Sequence, residues 1–145
     1  MTQTIASLKP FEAERDTSSP NRNLAPVTTC LDEQDRLVVG GCVLSELAQR
    51  YGTPLYVLDE ETVRGTCRAY RDALKRHYPG ESLPVYASKA NSSLLMSSIA
   101  AAEGLGLDAV SAGELLTALQ GGMPGERMVL HGNNKNDEEL LLAYN

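Results

Sequence analysis

Apolar residues fall without any period through residues 1 to 26, where Thr, Ser, Pro, Asn and charged residues dominate. Such a stretch has too little to bury and reads as a disordered or loosely attached tail. Order begins near Val27. Arg36-Leu-Val-Val39 has the makings of a short strand, followed by the flexible pair Gly40-Gly41. Val43, Leu44, Leu47 and Ala48 then recur at helical spacing, and Gly52 with Pro54 supplies a stop. Residues 27–50 thus form a lead-in strand and helix.

From residue 51 the pattern becomes regular. Leu55-Tyr-Val-Leu58 is a short apolar run, a candidate buried strand. Asp59 can cap the next helix, with Glu60 and Glu61 in its first turn and Lys75, Arg76 and His77 in its last, matching the helix dipole. Val63, Cys67, Tyr70 and Leu74 give that helix one apolar stripe. Three strand-to-helix units follow. Val85-Tyr-Ala87 precedes a helix from about Ser92 to Glu103, with Gly104 just past its end. Leu107 to Val110 leads into Ser111-Ala-Gly-Glu114, a capping box whose helix stops at Gly121-Gly122. Met128-Val-Leu130 leads through His131-Gly-Asn-Asn-Lys135 to a helix opened by Asn136 or Asp137.

The three runs start at Val85, Leu107 and Met128, 22 and 21 residues apart. Short apolar runs alternating with helices predict an α/β fold of parallel strands and right-handed crossovers. An open sheet of four or five strands fits the length. So do the first few units of a (β/α)8 barrel, which needs roughly 250 residues in full. The chain ends at Asn145 inside an apolar helical pattern with no stop signal, which is expected of a portion of a larger barrel.

Composition narrows the function classes. Thirteen Lys and Arg against 19 Asp and Glu give a net charge of −6, with one Phe and no Trp. Nucleic-acid binding asks for a basic surface and stacking aromatics, so it is not expected. No apolar run approaches the roughly 18–20 residues of a membrane span. The first residues lack the apolar core of a secretory signal, and a soluble cytoplasmic protein is expected. Cys30, Cys42 and Cys67 are odd in number and widely spaced, and His77 and His131 are the only histidines. Neither a disulfide framework nor a metal site is suggested.

In parallel α/β folds the chemistry gathers at the carboxyl ends of the strands. Those positions hold Ser88, Lys89 and Asn91 in the first unit, Asp108 and Ser111 in the second, and His131, Asn133, Asn134 and Lys135 in the third. Lys89 follows an apolar strand and precedes a helix N-terminus. Desolvation and the helix dipole there would both disfavour the ammonium, and a free amine can form a Schiff base. An ordinary surface lysine in a strand-to-helix loop fits the same spacing. Asp108 reads equally as a solvated strand-end carboxylate or a site residue. Gly104-Leu-Gly106 lacks a third glycine and precedes a strand, so it is no dinucleotide fingerprint. Gly121-Gly122 reads as a helix stop, Asn133-Asn134 as a turn, and Glu138-Glu139 as first-turn charge.

Val85-Tyr-Ala-Ser-Lys89-Ala-Asn91 resembles the cofactor-lysine motif of the fold-type III, alanine racemase-like, pyridoxal-phosphate decarboxylases. Tyr51-Gly-Thr-Pro-Leu-Tyr-Val-Leu58, Asp108-Ala-Val-Ser-Ala-Gly-Glu-Leu115 and His131-Gly-Asn-Asn-Lys135 occur in the order the family has them. The match spans about residues 36 to 145, and within the family it is most similar to the diaminopimelate decarboxylases. The related arginine, ornithine or carboxynorspermidine decarboxylases, and a non-catalytic pyridoxal-phosphate-binding protein, are the alternatives. The resemblance implies the N-terminal part of a (β/α)8 barrel over residues 51–145, preceded by a strand that would join a separate β domain. It implies pyridoxal phosphate bound through Lys89, with Asp108 and His131 on the cofactor side. It also implies decarboxylation of a small amino acid, and a homodimer when full length. The phosphate loop, the acidic partner of the pyridine nitrogen and the substrate arginines of the family have no counterpart here, so residues 1–145 alone are expected to be inactive.

Overall fold

A computed structural model describes Lys9–Pro10 and residues 24–144. Two compact units divide between Val63 and Arg64, inside a helix. The tail expected over residues 1–26 lies largely outside the described residues.

The first unit contains an antiparallel sheet of four short strands in the order β1 (Lys9–Pro10), β2 (Cys30–Leu31), β3 (Leu37–Val39) and β4 (Cys42–Val43). Only β3 was legible as a strand. Gly40 and Gly41, at φ +57° and +77°, form the two-residue turn that pairs Val39 with Cys42. Two successive positive φ values match the twist of a tight hairpin, so this pair is a turn and not a flexible joint. The β2–β3 turn is organised by Asp32, whose carboxylate accepts from the Gln34 and Arg36 backbone N–H groups, both at 2.9 Å. Helix α1 (Leu44–Tyr51) follows β4 and stops at Gly52, φ +83°.

Leu55–Leu58 is not the buried strand its composition predicts. The run is irregular among the described residues, and all four side chains are at least 40% exposed. Apolarity marks a strand that could be covered, and only pairing on its edges makes it one. Asp59 does cap the next helix, α2 (Glu60–His77), accepting from the Thr62 N–H at 3.1 Å and bonding the Thr62 hydroxyl. Burial pushes the Asp59 carboxyl up, but hydrogen bonds from Thr62 and Thr28 outweigh it and hold the pKa below the usual range.

The second unit is built on a parallel sheet in the order β5 (Val85–Ala87), β6 (Gly106–Ala109) and β7 (Met128–Leu130). Helices α3 (Leu94–Ala102), α4 (Ala112–Gln120) and α5 (Asp137–Tyr144) follow the three strands in turn. The alternation and the strand positions agree with the sequence pattern, and the sheet is open. Leu107 and Ala109 of β6 are fully buried with Ile99, Ala100, Leu115 and Ala118 of the two flanking helices. The register sets Ala87, Asp108 and Val129 abreast on the opposite face. Val85 and Val129 on that face are 44% and 49% exposed.

Both α3 and α4 end in the same motif. Leu105 N–H donates to Ala100 O and Gly104 N–H to Ala101 O, with Gly104 at φ +81°. Met123 and Gly122 repeat the pair on Ala118 and Leu119, with Gly122 at φ +84°. A left-handed glycine closes each helix and turns a buried apolar residue, Leu105 or Met123, back under it. On α2 the covered stripe runs through Cys67, Arg71 and Leu74, while Tyr70 is 66% exposed. Arg64 and Arg68 pair with the buried Glu103 carboxylate at 2.9 and 3.3 Å, and Arg71 donates to Glu103 O at 2.9 Å. The expected apolar stripe is therefore partly a stripe of arginine stems. Among the described residues, no helix is long and apolar enough to cross a membrane.

Candidate active site

The carboxyl ends of the three parallel strands bring three of the residues singled out from sequence to one edge of the sheet. Lys89 sits in a short 3₁₀ turn, Ser88–Ala90, directly after β5. Its side chain is exposed, and it has no hydrogen bond or ion pair among the described residues. The desolvation expected around Lys89 is therefore not observed, because the turn projects past the last paired residue of the strand. What the structure supplies instead is an exposed amine without a partner among the described residues, carried on a turn fixed to the strand end.

Asp108 lies on β6, on the face that carries Val129, and His131 follows β7 two positions beyond Val129. His131 N–H donates to Ala109 O at 2.8 Å, which extends the ladder and fixes where the imidazole starts. Its Nδ1 lies 3.2 Å from Asp108 Oδ2. The other carboxylate oxygen, Oδ1, is buried and has no hydrogen-bond partner among the described residues. A buried carboxylate oxygen without a donor is costly, so it marks a place where a polar ligand would be favoured.

The remaining strand-end residues have structural partners. Ser111 caps α4, accepting from the Glu114 N–H at 3.3 Å. Asn91 accepts from the Ser93 N–H at 3.1 Å, and its carbonyl accepts from the Tyr86 hydroxyl, also at 3.1 Å. Burial pushes the Tyr86 phenol up from its ordinary range. Asn134, at φ +57°, takes the left-handed conformation directly after a bend at Gly132 and Asn133. Lys135 donates from Nζ to Val110 O at 2.7 Å. Asn136 and Glu139 make a reciprocal cap at 2.8 and 3.3 Å that opens α5. Of the two lysines near this edge, one is committed to a carbonyl and the other is not.

Sequence reasoning missed the reach of Glu114. In a capping box its carboxylate would return to the N–H of Ser111. Here Oε2 instead accepts from the Val110 N–H at 2.8 Å and bonds the Ser88 hydroxyl. The single hydrogen of that hydroxyl is shared with Asp108 O, which lies 2.9 Å from Ser88 Oγ. The sequence signal was present, since Ser-x-x-Glu is a reciprocal pattern, but the cross-strand partner could not be read from it.

A primary amine, a carboxylate with a free buried oxygen and an imidazole suit a ligand that carries an aldehyde and a polar aromatic ring. A family model described as pyridoxal-dependent decarboxylase, pyridoxal binding domain, matches residues 60–145. Diaminopimelate decarboxylase of Synechocystis sp. is 44% identical over 133 residues, which cover 86% of this chain and 28% of that protein. The Bacillus subtilis diaminopimelate decarboxylase is 44% identical over 117 residues, 80% of this chain and 26% of that protein. Among solved structures, diaminopimelate decarboxylase from M. jannaschii in complex with L-lysine superposes with a TM-score of 0.73 at 36% identity. That superposition covers 81% of this chain and 27% of the solved chain. The chain thus spans little more than a quarter of the length of these relatives.

Proposed function

Because this chain belongs to the pyridoxal-dependent decarboxylase family through its pyridoxal binding domain, we propose that it is the N-terminal, cofactor-holding part of a decarboxylase. The reaction is conversion of meso-2,6-diaminopimelate to L-lysine and carbon dioxide, and the cofactor is pyridoxal phosphate. The curated relatives above act in favour of this substrate by their names. Residues 51–145 form the first units of an alanine racemase-like barrel, and residues 27–50 lead into it. The complete protein is a cytoplasmic homodimer.

One observation carries the assignment of Lys89: among the described residues it is the amine without a partner at the strand-end edge that also carries the Asp108–His131 contact. Pyridoxal phosphate, when bound, supplies an electron sink for the pair left behind as the carboxylate departs. Lys89 would hold the cofactor through its aldehyde. Its Nζ would also be placed to hold a proton and return it to the product. Asp108 would offer its second carboxylate oxygen to a donor on the cofactor, while the other holds the His131 ring. His131 is 62% exposed at its side chain and is available to lie against a bound ring.

The test is borohydride reduction of the holoenzyme followed by peptide mapping. The pyridoxyl group is expected on Lys89, and label on Lys135 would refute the assignment. Carbon dioxide release is then compared for meso-diaminopimelate, lysine, ornithine and arginine. Preference for diaminopimelate is expected, and preference for arginine or ornithine would replace the proposed substrate. Residues 1–145 alone, lacking most of the relatives' length, are expected to release none.

A further inference from the structure

The turn that carries Lys89 has no cap of its own. Its preceding residue is Ala87, which makes no side-chain bond to the turn. The turn is anchored at its exit by the Tyr86 hydroxyl on Asn91 O, 3.1 Å, and at its entry by the Ser88 hydroxyl. That hydroxyl is buried, and it reaches Asp108 O and the Glu114 carboxylate together. Glu114 in turn takes the Val110 N–H at 2.8 Å. One half-buried carboxylate on α4 therefore ties the residue before Lys89 to the strand end that carries Asp108. Its position in the first turn of α4 suits a carboxylate, since the helix dipole favours negative charge there.

We propose that Glu114, acting through Ser88, is a positioning residue that sets Lys89 relative to Asp108 for covalent capture of pyridoxal phosphate. A simple helix cap would need neither Ser88 nor the overshoot to Val110. The inference rests on the assignment of Lys89 made above. It concerns geometry: reacting groups displaced by about 1 Å can lose on the order of 100-fold in rate.

The experiment follows covalent capture in time. Apoenzyme is mixed with pyridoxal phosphate, quenched with borohydride at intervals, and the label on Lys89 is quantified by peptide mapping. Thermal midpoints are measured alongside. Glu114→Ala and Ser88→Ala are each expected to slow labelling of Lys89 by about 10- to 100-fold. The double variant should be no slower than the worse single one, because both changes break the same bridge. Glu114→Gln can place its amide oxygen where Oε2 accepts from both the Val110 N–H and the Ser88 hydroxyl, so it should recover most of the rate. Labelling at the wild-type rate in Ser88→Ala, or effects that multiply in the double variant, would overturn the proposal. Should Glu114→Ala fail to fold, Ser88→Ala and Glu114→Gln decide the matter by the same criteria. Wild-type label found away from Lys89 would overturn the functional reading itself, and this inference with it. Wild-type label on Lys89 with normal capture in the variants would overturn the inference alone.

Discussion

At the amino end of the parallel sheet, Gly106 lies so close to β7 that a Cβ there would come within 2.4 Å of the Arg127 carbonyl oxygen. The carbonyls nearby are capped as well: Arg127 donates to Ala101 O and Leu105 O at 3.4 and 3.2 Å, and Arg71 to Glu103 O. At the carboxyl end of the same strands, Lys89 has no partner among the described residues and one oxygen of Asp108 has none. One end is closed by packing and satisfied polar groups. The other keeps reactive groups in place while leaving their bonding capacity open. In a three-strand sheet these two demands are separated by only the length of a strand, so stability and chemistry can be altered independently.

Breaking the comparison begins with Lys89→Ala. Covalent capture of pyridoxal phosphate is expected to vanish, while the unfolding free energy changes by less than about 0.5 kcal/mol, because no described contact is lost. Lys135→Met serves as the control and should leave the label on Lys89. Urea titration with borohydride labelling in parallel checks both. Transfer of label to Lys135 in the Lys89 variant would show that the open end is less selective than its geometry implies. Gly106→Ala should do the reverse. Crowding against a backbone carbonyl costs about 1–3 kcal/mol, read as a lower urea midpoint, with labelling of Lys89 unchanged per folded molecule. The smallest effect is expected at Gly104→Ala. The nearest atom to a Cβ there is Arg71 Cδ at 3.7 Å, an ordinary contact. Only the left-handed conformation at φ +81° is penalised, by about 1 kcal/mol. Gly104→Asn should regain part of that loss, since Asn tolerates this region better. Equal losses for the Ala and Asn variants would point to crowding instead.

The three strand-to-helix units were legible because each joins an apolar run to a capping residue, and the first two also end in a glycine stop. Ser111 and Asn136 cap the helices proposed for them, and Gly104 and Gly122 terminate as glycines past a helix end do. The first unit was harder. Strands β2 and β4 have two residues each, too few to show alternation, and their existence depends on Asp32 and the Gly40-Gly41 turn. Leu55–Leu58 misled for the opposite reason, being apolar without a described strand to pair with. Tyr70 misled because the stems of Arg64, Arg68 and Arg71 were counted as polar, although Glu103 draws them into the covered side of α2. At the candidate site, sequence placed Lys89, Asp108 and His131 on one edge but could not separate Lys89 from Lys135 by spacing. The bond from Lys135 to Val110 O does that. The bridge from Glu114 to Ser88 joins residues 26 positions apart and belongs to tertiary structure alone.

The glycine-closed ends of α3 and α4 have a consequence for how such a chain can change its length. Between Glu103 and Gly106 every residue is assigned: one closes the helix, one is buried beneath it, and the next donates to Pro84 O at 2.9 Å to start the strand. An inserted residue there would have to dislodge Leu105 from its burial or shift β6 in register, which would carry Asp108 to the other face. The segment from His131 to Asn136, on the opposite side of the sheet, has no such buried residue. Growth, shrinkage and grafting of loops are therefore tolerated on one side only. A lineage varying this scaffold could lengthen the loop after β7 while the hinges at the other end of the sheet stayed the same length.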